Sequence, residues 1–416
     1  MLTSLIRILL TRSFKPFQFN RAYRNTLPFQ QEQDLGLYVH IPFCRSLCSF
    51  CPYCKVVYNG DLAKSYHQAL LREIDLTCSQ LEEKKEVTSL YFGGGTPALM
   101  AEHLQEIIER LKKYFIITQG IGVELHPEDI SPSTLELLKT AGVTMVSIGI
   151  QSFHPQCLSA LGRKGEDFSE KIKLVSRSGF AVIDVDLIFA IPNQTEEIII
   201  SDIETAFVSG ATQISTYPFI DFTFANNRYK PLSEKEKKKM LHAITTHCEH
   251  TGRERTSVWT FAKKGTQKYS SVTRDSFLGF GVSATTLLQK QFKINTFSIE
   301  AYMERISRGE LPTSLTLDFT LRQRAVYYLF WNTYSLEINP AKFKQKIGIP
   351  LTKLFRFELW LGEKFGLLKP KNGSYYPTEK GAYYYHYLEQ AYTTAYIDKM
   401  WYVSRTTAFP EKIVLK

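Results

Sequence analysis

Three cysteines within eight residues are the part of this sequence whose type and spacing could do chemistry. Cys44, Cys48 and Cys51 follow a C-x3-C-x2-C pattern on a segment that comes directly after a predicted strand. Three thiolates on one loop can hold three corners of a 4Fe–4S cluster and leave one iron without a protein ligand. An iron with an open position can bind a small molecule and pass an electron to it. The spacing therefore predicts a reactive cluster and not only an electron store.

Zinc is the alternative metal for this loop. Structural zinc sites usually combine two short Cys/His pairs that lie well apart in the sequence, and no second pair is evident here. The rest of the chain has to decide between the two metals.

Seven short motifs favour the 4Fe–4S cluster over zinc. They are residues 38–44 (YVHIPFC), 91–97 (YFGGGTP), 123–129 (VELHPED), 147–153 (SIGIQSF), 161–163 (LGR), 186–189 (DLIF) and 279–284 (GFGVSA). In this order they resemble the radical S-adenosylmethionine (SAM) superfamily. Within it they resemble the oxygen-independent coproporphyrinogen III oxidases, a family that also includes heme chaperones and heme-cleaving, anaerobilin synthase-like methyltransferases. The resemblance covers residues 35 to about 290, and ordered motifs of this kind agree in context as well as in letters.

The resemblance implies which residues hold the cluster and which surround the first SAM molecule. Cys44, Cys48 and Cys51 would hold the cluster. The residues that it places beside the SAM on the open iron are Tyr38, Phe50, Gly94, Gly95, Thr96, Glu124 and, in the segment closing over the adenine, Thr285. The glycines could also serve a tight turn from strand to helix, because they lack side chains. Both roles are compatible.

Three further residues match positions that bind a second SAM in coproporphyrinogen oxidase. These are Gln151, Arg163 and Asp186. A carboxylate pairs well with ribose hydroxyls, and an arginine pairs with a carboxylate through two hydrogen bonds. The structural alternative is that Arg163 caps the preceding helix. No residue is assigned a catalytic role by the sequence.

Cys54 and two histidines stand outside this pattern. Coproporphyrinogen oxidases carry an extra cysteine two residues after the third ligand, whereas Cys54 follows Cys51 by three. The difference weakens the transfer of oxidase activity to this chain. We expect His40 and His126 to be hydrogen-bonded core residues and not axial heme ligands.

Strand-like and helix-like segments alternate between residues 35 and 219. The predicted strands are 36–41, 87–92, 121–125, 144–150, 182–189 and 213–219, with helices at 61–85, 99–115, 131–141, 166–179 and 195–209. Such alternation predicts an α/β fold with a parallel sheet, and the resemblance implies an incomplete (β/α)6 barrel of the TIM type. The informative motifs follow strand ends, where barrels carry their sites.

The chain changes character after about Leu288. Helical segments are predicted at 298–308, 318–335, 340–347 and 351–366, followed by a hairpin around Asn372–Gly373. We predict three parts: a basic N-terminal extension (1–34), a radical SAM partial barrel (35–288) and a C-terminal, mainly helical, winged-helix-like domain (289–416). The last part is interpreted as a cover for the substrate, and nucleic acid is not expected as a partner.

The composition is that of a soluble globular protein with free cysteines. Hydrophobic residues make up 44% of the 416 residues and charged residues 22%, as in an ordinary soluble protein. Seven cysteines, four of them in residues 44–54, suit free thiols in a reducing cytoplasm. The net charge of +10 is unevenly spread: the residues before Glu32 include no acidic residue but five basic ones, Arg7, Arg12, Lys15, Arg21 and Arg24. This segment could be a transit peptide, a basic arm or a frayed end.

The sequence therefore predicts a radical SAM enzyme, either a coproporphyrinogen dehydrogenase-like oxidoreductase or a class C-type methyltransferase, that acts on a porphyrin or heme. The alternative is a heme-binding chaperone on the same scaffold. Expected cofactors are a 4Fe–4S cluster and one SAM or two. Expected partners are a tetrapyrrole substrate and an electron donor such as flavodoxin or ferredoxin, and we expect a monomer without a membrane span.

Overall fold

A computed structural model describes residues 2–21, 27–163, 168–225, 227–267 and 275–416. Its α-helices are α1 (Leu2–Thr11), α2 (Gly60–Cys78), α3 (Ala101–Lys112), α4 (Pro132–Thr140), α5 (Pro155–Ala160), α6 (Ser169–Arg177), α7 (Glu196–Val208), α8 (Glu234–His250), α9 (Ile299–Ser307), α10 (Leu321–Tyr334), α11 (Pro340–Ile347), α12 (Leu351–Lys364), α13 (Glu379–Tyr392) and α14 (Asp398–Thr406). A π-helix, Thr393–Ile397, joins α13 to α14, and 3-10 helices lie at Pro97–Met100 and Pro127–Asp129.

The strands are β1 (Phe17–Asn20), β2 (Leu35–Ile41), β3 (Phe43–Cys44), β4 (Val56–Val57), β5 (Lys85–Val87), β6 (Leu90–Gly94), β7 (Phe115–Ile117), β8 (Ile121–Leu125), β9 (Met145–Gln151), β10 (Val182–Phe189), β11 (Gln213–Pro218), β12 (Glu254–Arg255), β13 (Thr260–Ala262), β14 (Ser276–Phe280), β15 (Thr285–Leu287), β16 (Gln291–Asn295), β17 (Thr313–Asp318), β18 (Leu368–Lys371), β19 (Ser374–Pro377) and β20 (Lys412–Leu415). The large sheet has the order β12-β13-β11-β10-β9-β8-β6-β2-β14-β15-β16-β17-β1-β20.

Six neighbouring strands of this sheet form the predicted incomplete barrel. The strands β2, β6, β8, β9, β10 and β11 pair in parallel in this order, with a register shift in the β9–β10 pair between Asp186 and Leu187. The arc does not close on itself, because β11 pairs with the antiparallel β13 while β2 pairs with β14. The six strands and the helices between them confirm the α/β prediction. The first helix is shorter than predicted, because α2 ends at Cys78 instead of residue 85.

Alternation along the strands gives the barrel an apolar outside and a polar inside. On β2, Leu37, Val39 and Ile41 belong to the main hydrophobic core, while Tyr38 and His40 point to the other face. Barrel interiors are usually packed with branched apolar side chains. Here the inner positions are instead tyrosine, histidine, serine and acidic residues, so the interior is equipped for polar ligands.

The C-terminal part contains the predicted helices and hairpin. Asn372 (φ +49°) and Gly373 (φ +78°) both occupy the left-handed region at the turn between β18 and β19, as a two-residue hairpin turn requires. Together with α10, α11 and α12 this hairpin forms the predicted winged-helix-like arrangement. The sheet continues through β15, β16 and β17, and β15 pairs with β16 across residues 288–290. The proposed division at 288/289 thus falls in a hairpin turn.

The N-terminal segment is ordered where the structure describes it. Helix α1 packs against α10 and α13, and β1 pairs with β17 and β20. Arg12 forms an ion pair with Glu358 of α12 at 2.8 Å. The interpretation as a frayed end is therefore wrong for the described residues of this segment, which contact helices and strands of the C-terminal part. None of the described helices has the length and apolar character needed to cross a bilayer.

Candidate active site

One large cavity of about 750 Å³ opens at the carboxyl ends of the parallel strands. The helices α10, α13 and α14 form its opposite side. All the residues that the sequence selected line this cavity: Tyr38, Cys44, Cys48, Phe50, Cys51, Gly94, Gly95, Thr96, Glu124, Gln151, Arg163, Asp186 and Thr285. They come from segments spread over about 250 positions of sequence, and the fold brings them to one chamber. Their individual roles remain predictions.

The cysteine loop is closed at its base by a short parallel pairing. Strand β3 ends at Cys44 and pairs with β4, so both ends of the loop are fixed. The Thr96 hydroxyl lies 3.9 Å from the Cys44 sulfur, and Lys55 donates to the Cys51 carbonyl at 2.6 Å. Burial raises the pKa of the Cys44 thiol to about 12, and the neighbouring Cys51 adds to that shift. The three thiols therefore share one partly buried environment.

The donor set fits a cluster better than a single ion. The three cysteines are free and half-buried, and all face the cavity. Among the described residues, no three side chains of His, Cys, Asp or Glu converge on one metal position. A 4Fe–4S cluster does not need such convergence, because each cysteine binds a different iron.

The glycine loop lies directly against the cysteine loop. Gly94 has φ +118°, and a Cβ there would lie 2.6 Å from the His40 ring. A Cβ on Gly95 would lie 2.6 Å from the Phe43 carbonyl. Backbone bonds from Gly95 to Ile41 and from Thr96 to Phe43, each 2.7 Å, hold the two loops together. The glycines are thus required for close packing, whatever they contact in a ligand.

Glu124 is held at the end of β8 by two donors. One carboxylate oxygen accepts from the Tyr91 hydroxyl at 2.7 Å, and the other accepts from the Gly94 amide at 3.1 Å. Burial raises the pKa of Glu124, and these two hydrogen bonds oppose the shift. A carboxylate has further lone pairs, so it can still accept from an amino group or a hydroxyl in the cavity.

Asp186, Gln151 and Arg163 form a second group around the end of β9. Asp186 accepts from the Ser147 hydroxyl at 2.8 Å, and burial followed by the neighbouring Asp184 raises its pKa. Gln151 ends β9 with φ +74°, a left-handed conformation that is costly for a residue with a side chain. The Arg163 guanidinium donates to the Gly149 carbonyl of β9 at 2.7 Å, while the Arg163 backbone amide caps the preceding helix by donating to the Leu158 carbonyl at 2.9 Å.

The two histidines are hydrogen-bonded, as expected. The His40 ring lies 2.9 Å from the Tyr38 hydroxyl and 2.9 Å from the Cys54 carbonyl, which uses both ring nitrogens. Burial lowers its pKa to about 4. His126 accepts from the Glu128 amide at 3.3 Å, and burial lowers its pKa to about 3.

Cys54 has a protein partner of its own beside the cysteine loop. Its thiol is buried and donates to the Phe297 carbonyl at 3.4 Å. Burial raises its pKa to about 11. It contributes to the hydrophobic core beside the loop.

Sequence analysis missed the side of the cavity that faces the barrel. We call this surface the aromatic wall; it comprises Tyr327, Phe330, Trp331 and Tyr334 of α10, Tyr392 of α13 and Trp401 of α14. Phe330 contacts Trp331 edge to face at 5.3 Å between ring centroids, and it lies 5.5 Å from Tyr392. The only signal was the aromatic richness of residues 327–331, and nothing in it indicated which rings would face the cavity.

Two charged residues also reach the cavity from outside the barrel. Arg7 of α1 is buried, donates to the Lys15 carbonyl at 2.5 Å and has a buried Nε without a hydrogen-bond partner in the described chain. Glu389 of α13 faces the aromatic wall. Arg21 is exposed and does not line the cavity, and Arg24 lies outside the described residues.

Comparison with known proteins places this site in a family. Residues 38–206 match the model of the radical SAM superfamily. The chain contains a radical SAM domain. The three proposed cluster ligands lie within the matched residues, and such domains use a 4Fe–4S cluster and SAM, which confirms the predicted cofactors.

Relatives of the radical SAM domain extend the match over most of the chain. The heme chaperone HemW of Bacillus subtilis (strain 168) is 28% identical over 83% of this chain and 95% of its own length. The oxygen-independent coproporphyrinogen III oxidase of Helicobacter pylori (strain J99 / ATCC 700824) is 24% identical over 83% of this chain and 82% of its own length. The structure of coproporphyrinogen III oxidase (HemN) from Escherichia coli matches with a TM-score of 0.73 at 20% identity, covering 94% of this chain and 98% of that one. The last match confirms the fold.

Proposed function

We propose that this chain is a radical SAM enzyme that acts on a porphyrin-type tetrapyrrole, and that its reaction is a coproporphyrinogen III dehydrogenase-like oxidation. One observation carries the proposal: a single cavity joins the cysteine loop to the aromatic wall. Coproporphyrinogen III is a large macrocycle of four aromatic pyrrole rings joined by saturated carbons, and aromatic side chains bind such rings by offset and edge-to-face contacts. The relatives named above act on coproporphyrinogen or handle heme.

The residues of the barrel would bind and orient the cofactors. Cys44, Cys48 and Cys51 would hold the cluster, and the Gly94–Gly95 turn with Glu124 would hold SAM. When bound, the reduced cluster and SAM supply a carbon-centred radical that abstracts hydrogen. Asp186, Gln151 and Arg163 would bind the second SAM. The number of SAM molecules rests on family resemblance and on the placement of these three side chains in the same cavity.

The protein's own part in the reaction is positioning and exclusion of water. To become a vinyl group, a propionate loses one hydrogen atom from the carbon next to the ring, carbon dioxide, and one electron, which passes to an external one-electron acceptor. The aromatic wall would keep the macrocycle in one orientation while its propionate faces the barrel. Water is excluded by rings that interlock, such as Phe330 between Trp331 and Tyr392. A dry chamber protects a radical from side reactions.

The second candidate function is a heme chaperone. Two observations favour it: the high coverage of the Bacillus subtilis chaperone, and the displaced Cys54, which departs from the cysteine spacing of the oxidases. The methyltransferase alternative has no support from the relatives compared above, so it is not part of the proposal.

Product analysis separates the two candidates. Anaerobically reconstituted protein is incubated with SAM, a reductant and either coproporphyrinogen III or heme, and products are identified by mass spectrometry. The proposal predicts 5′-deoxyadenosine together with decarboxylated tetrapyrrole from coproporphyrinogen III. Stable heme binding without tetrapyrrole conversion would favour the chaperone.

A further inference from the structure

Glu389 is a buried carboxyl group whose second oxygen has no partner. Its Oε1 accepts a hydrogen bond from the Thr393 hydroxyl at 2.9 Å. Its Oε2 is buried without a hydrogen-bond partner among the described residues, and the side chain lines the cavity. Leaving a buried acceptor unpaired is unfavourable. Glu389 thus brings to the cavity surface a carboxyl group with an acceptor that no described residue uses.

The side chains around Glu389 include three tyrosines. Tyr334 approaches from α10. Tyr385 and Tyr392 lie about one turn before and after Glu389 on α13. Burial raises the pKa of Glu389 to about 7, and the Thr393 hydrogen bond opposes that shift. A single carboxyl group in an otherwise aromatic surface gives a flat ligand one polar point of attachment.

The backbone is irregular at this point. Helix α13 passes at Thr393 into the π-helix Thr393–Ile397, which then continues as α14. Short π segments inside α-helices are rare and are found frequently at functional sites. This one supplies Thr393, the partner of Glu389, and places Thr393 and Ile397 on the cavity surface. The irregular turn and the unpaired oxygen are independent observations at the same place.

The ligand that fits is a tetrapyrrole macrocycle with N–H donors. A metal-free tetrapyrrole carries pyrrole N–H groups at its centre, whereas in heme the four nitrogens bind iron and donate none. We propose that Glu389 Oε2 accepts a hydrogen bond from a pyrrole N–H of a metal-free tetrapyrrole, so that the cavity selects the macrocycle without iron. This inference rests on the proposed function and names the form of the substrate.

Binding of two matched porphyrins tests the inference. Free-base coproporphyrin III and its iron(III) complex carry the same four propionates and differ in the ring centre. Their affinities are measured by anaerobic absorbance titration with the reconstituted full chain, Glu389→Leu and Glu389→Gln. The control is Glu379→Gln, an exposed glutamate on the same helix that pairs with His242 at 2.7 Å. Iron content and thermal midpoint verify that each variant folds.

We expect free-base affinity to fall at least tenfold in Glu389→Leu and less in Glu389→Gln, which keeps a neutral acceptor. Affinity for the iron complex should change less than twofold, and Glu379→Gln should match the wild type for both ligands. An equal loss for both porphyrins, or no loss for either, would overturn the inference while leaving the proposed function intact. A loss confined to the iron complex would also overturn it and would identify Glu389 as an iron ligand. If the wild type binds neither porphyrin, the proposed function itself fails.

Discussion

The two sides of the cavity are built on different physical principles. The barrel side is made of short segments at the ends of parallel strands, each fixed by backbone pairing, and it carries the cysteines and the held carboxylates. The aromatic wall is made of helix faces whose rings pack on one another, with Glu389 as its cavity-facing carboxyl group. The barrel side thus fixes cofactor geometry, and the aromatic wall offers shape and one polar contact to the substrate.

We expect the barrel side to determine the reaction and the aromatic wall to determine which ligand binds. On the barrel side, Glu124 has both carboxylate oxygens paired, one with Tyr91 and one with Gly94, so this carboxylate is preorganised. On the aromatic wall, Glu389 retains an unpaired oxygen. Substitutions on the barrel side should therefore abolish the reaction, whereas substitutions on the other side should change which ligand binds and how tightly.

The largest effect is expected at the cysteine loop. Replacing Cys44, Cys48 and Cys51 together with alanine should remove all cluster iron, about four per chain, because these thiolates are the only ligands proposed for it. Cys54→Ala is the matched control and should retain nearly full iron, since its thiol donates to Phe297. Iron analysis after anaerobic reconstitution measures both. A cluster that survives in Cys51→Ala but is lost in Cys54→Ala would refute the ligand assignment.

A smaller effect, limited to turnover, is expected at the end of β9. Asp186→Ala and Gln151→Ala should keep the iron and the cleavage of SAM but reduce tetrapyrrole conversion on the order of 100-fold, because misplacing a reactant costs about that much. The measurement compares 5′-deoxyadenosine formed with tetrapyrrole consumed. Equal loss of both activities would show that these residues do not serve a separate second SAM site.

Arg7 should affect affinity according to the number of carboxylates on the ligand. Arg7→Gln should weaken binding of coproporphyrin III, with four propionates, by about tenfold, because arginine forms charge-assisted hydrogen bonds with carboxylates. Protoporphyrin IX, with two, should lose less. Arg21→Gln, on the exposed side of the same segment, is the control. Equal losses for the two porphyrins would assign Arg7 a purely structural role.

The smallest effect is a pH-dependent change in stability from Glu389. Its pKa is raised to about 7, so the folded state holds a proton more tightly than the unfolded state, and stability is lost as the pH rises from about 4.5 to 7. Glu389→Gln cannot ionise. Its thermal midpoint should match the wild type at pH 5 and exceed it by about 1–3 °C at pH 8. A constant difference at both pH values would contradict the shifted pKa.

The sequence predicted the barrel side well and the aromatic wall poorly, for physical reasons. Strand ends carry short motifs such as the glycine turn, and parallel pairing forces such ends to one edge, so Cys44 and Asp186 could be placed together. Helix α10 has aromatics on several faces, and only packing against α13 determines that Phe330 faces the cavity. Glu389 carried no motif, and the π-helix that positions it depends on tertiary contacts. Arg7 was named only as one of five basic residues in the N-terminal segment, because α1 acquires its partners only in the folded chain.

The central claim is that the two sides enclose one reaction chamber, and isotope transfer tests it most directly. Coproporphyrinogen III deuterated at the propionate carbons next to the rings is incubated with the reconstituted protein, SAM and a reductant, and 5′-deoxyadenosine is analysed by mass spectrometry. We predict deuterium in the 5′-deoxyadenosine together with decarboxylated tetrapyrrole. Unlabelled 5′-deoxyadenosine with intact coproporphyrinogen III would contradict the account.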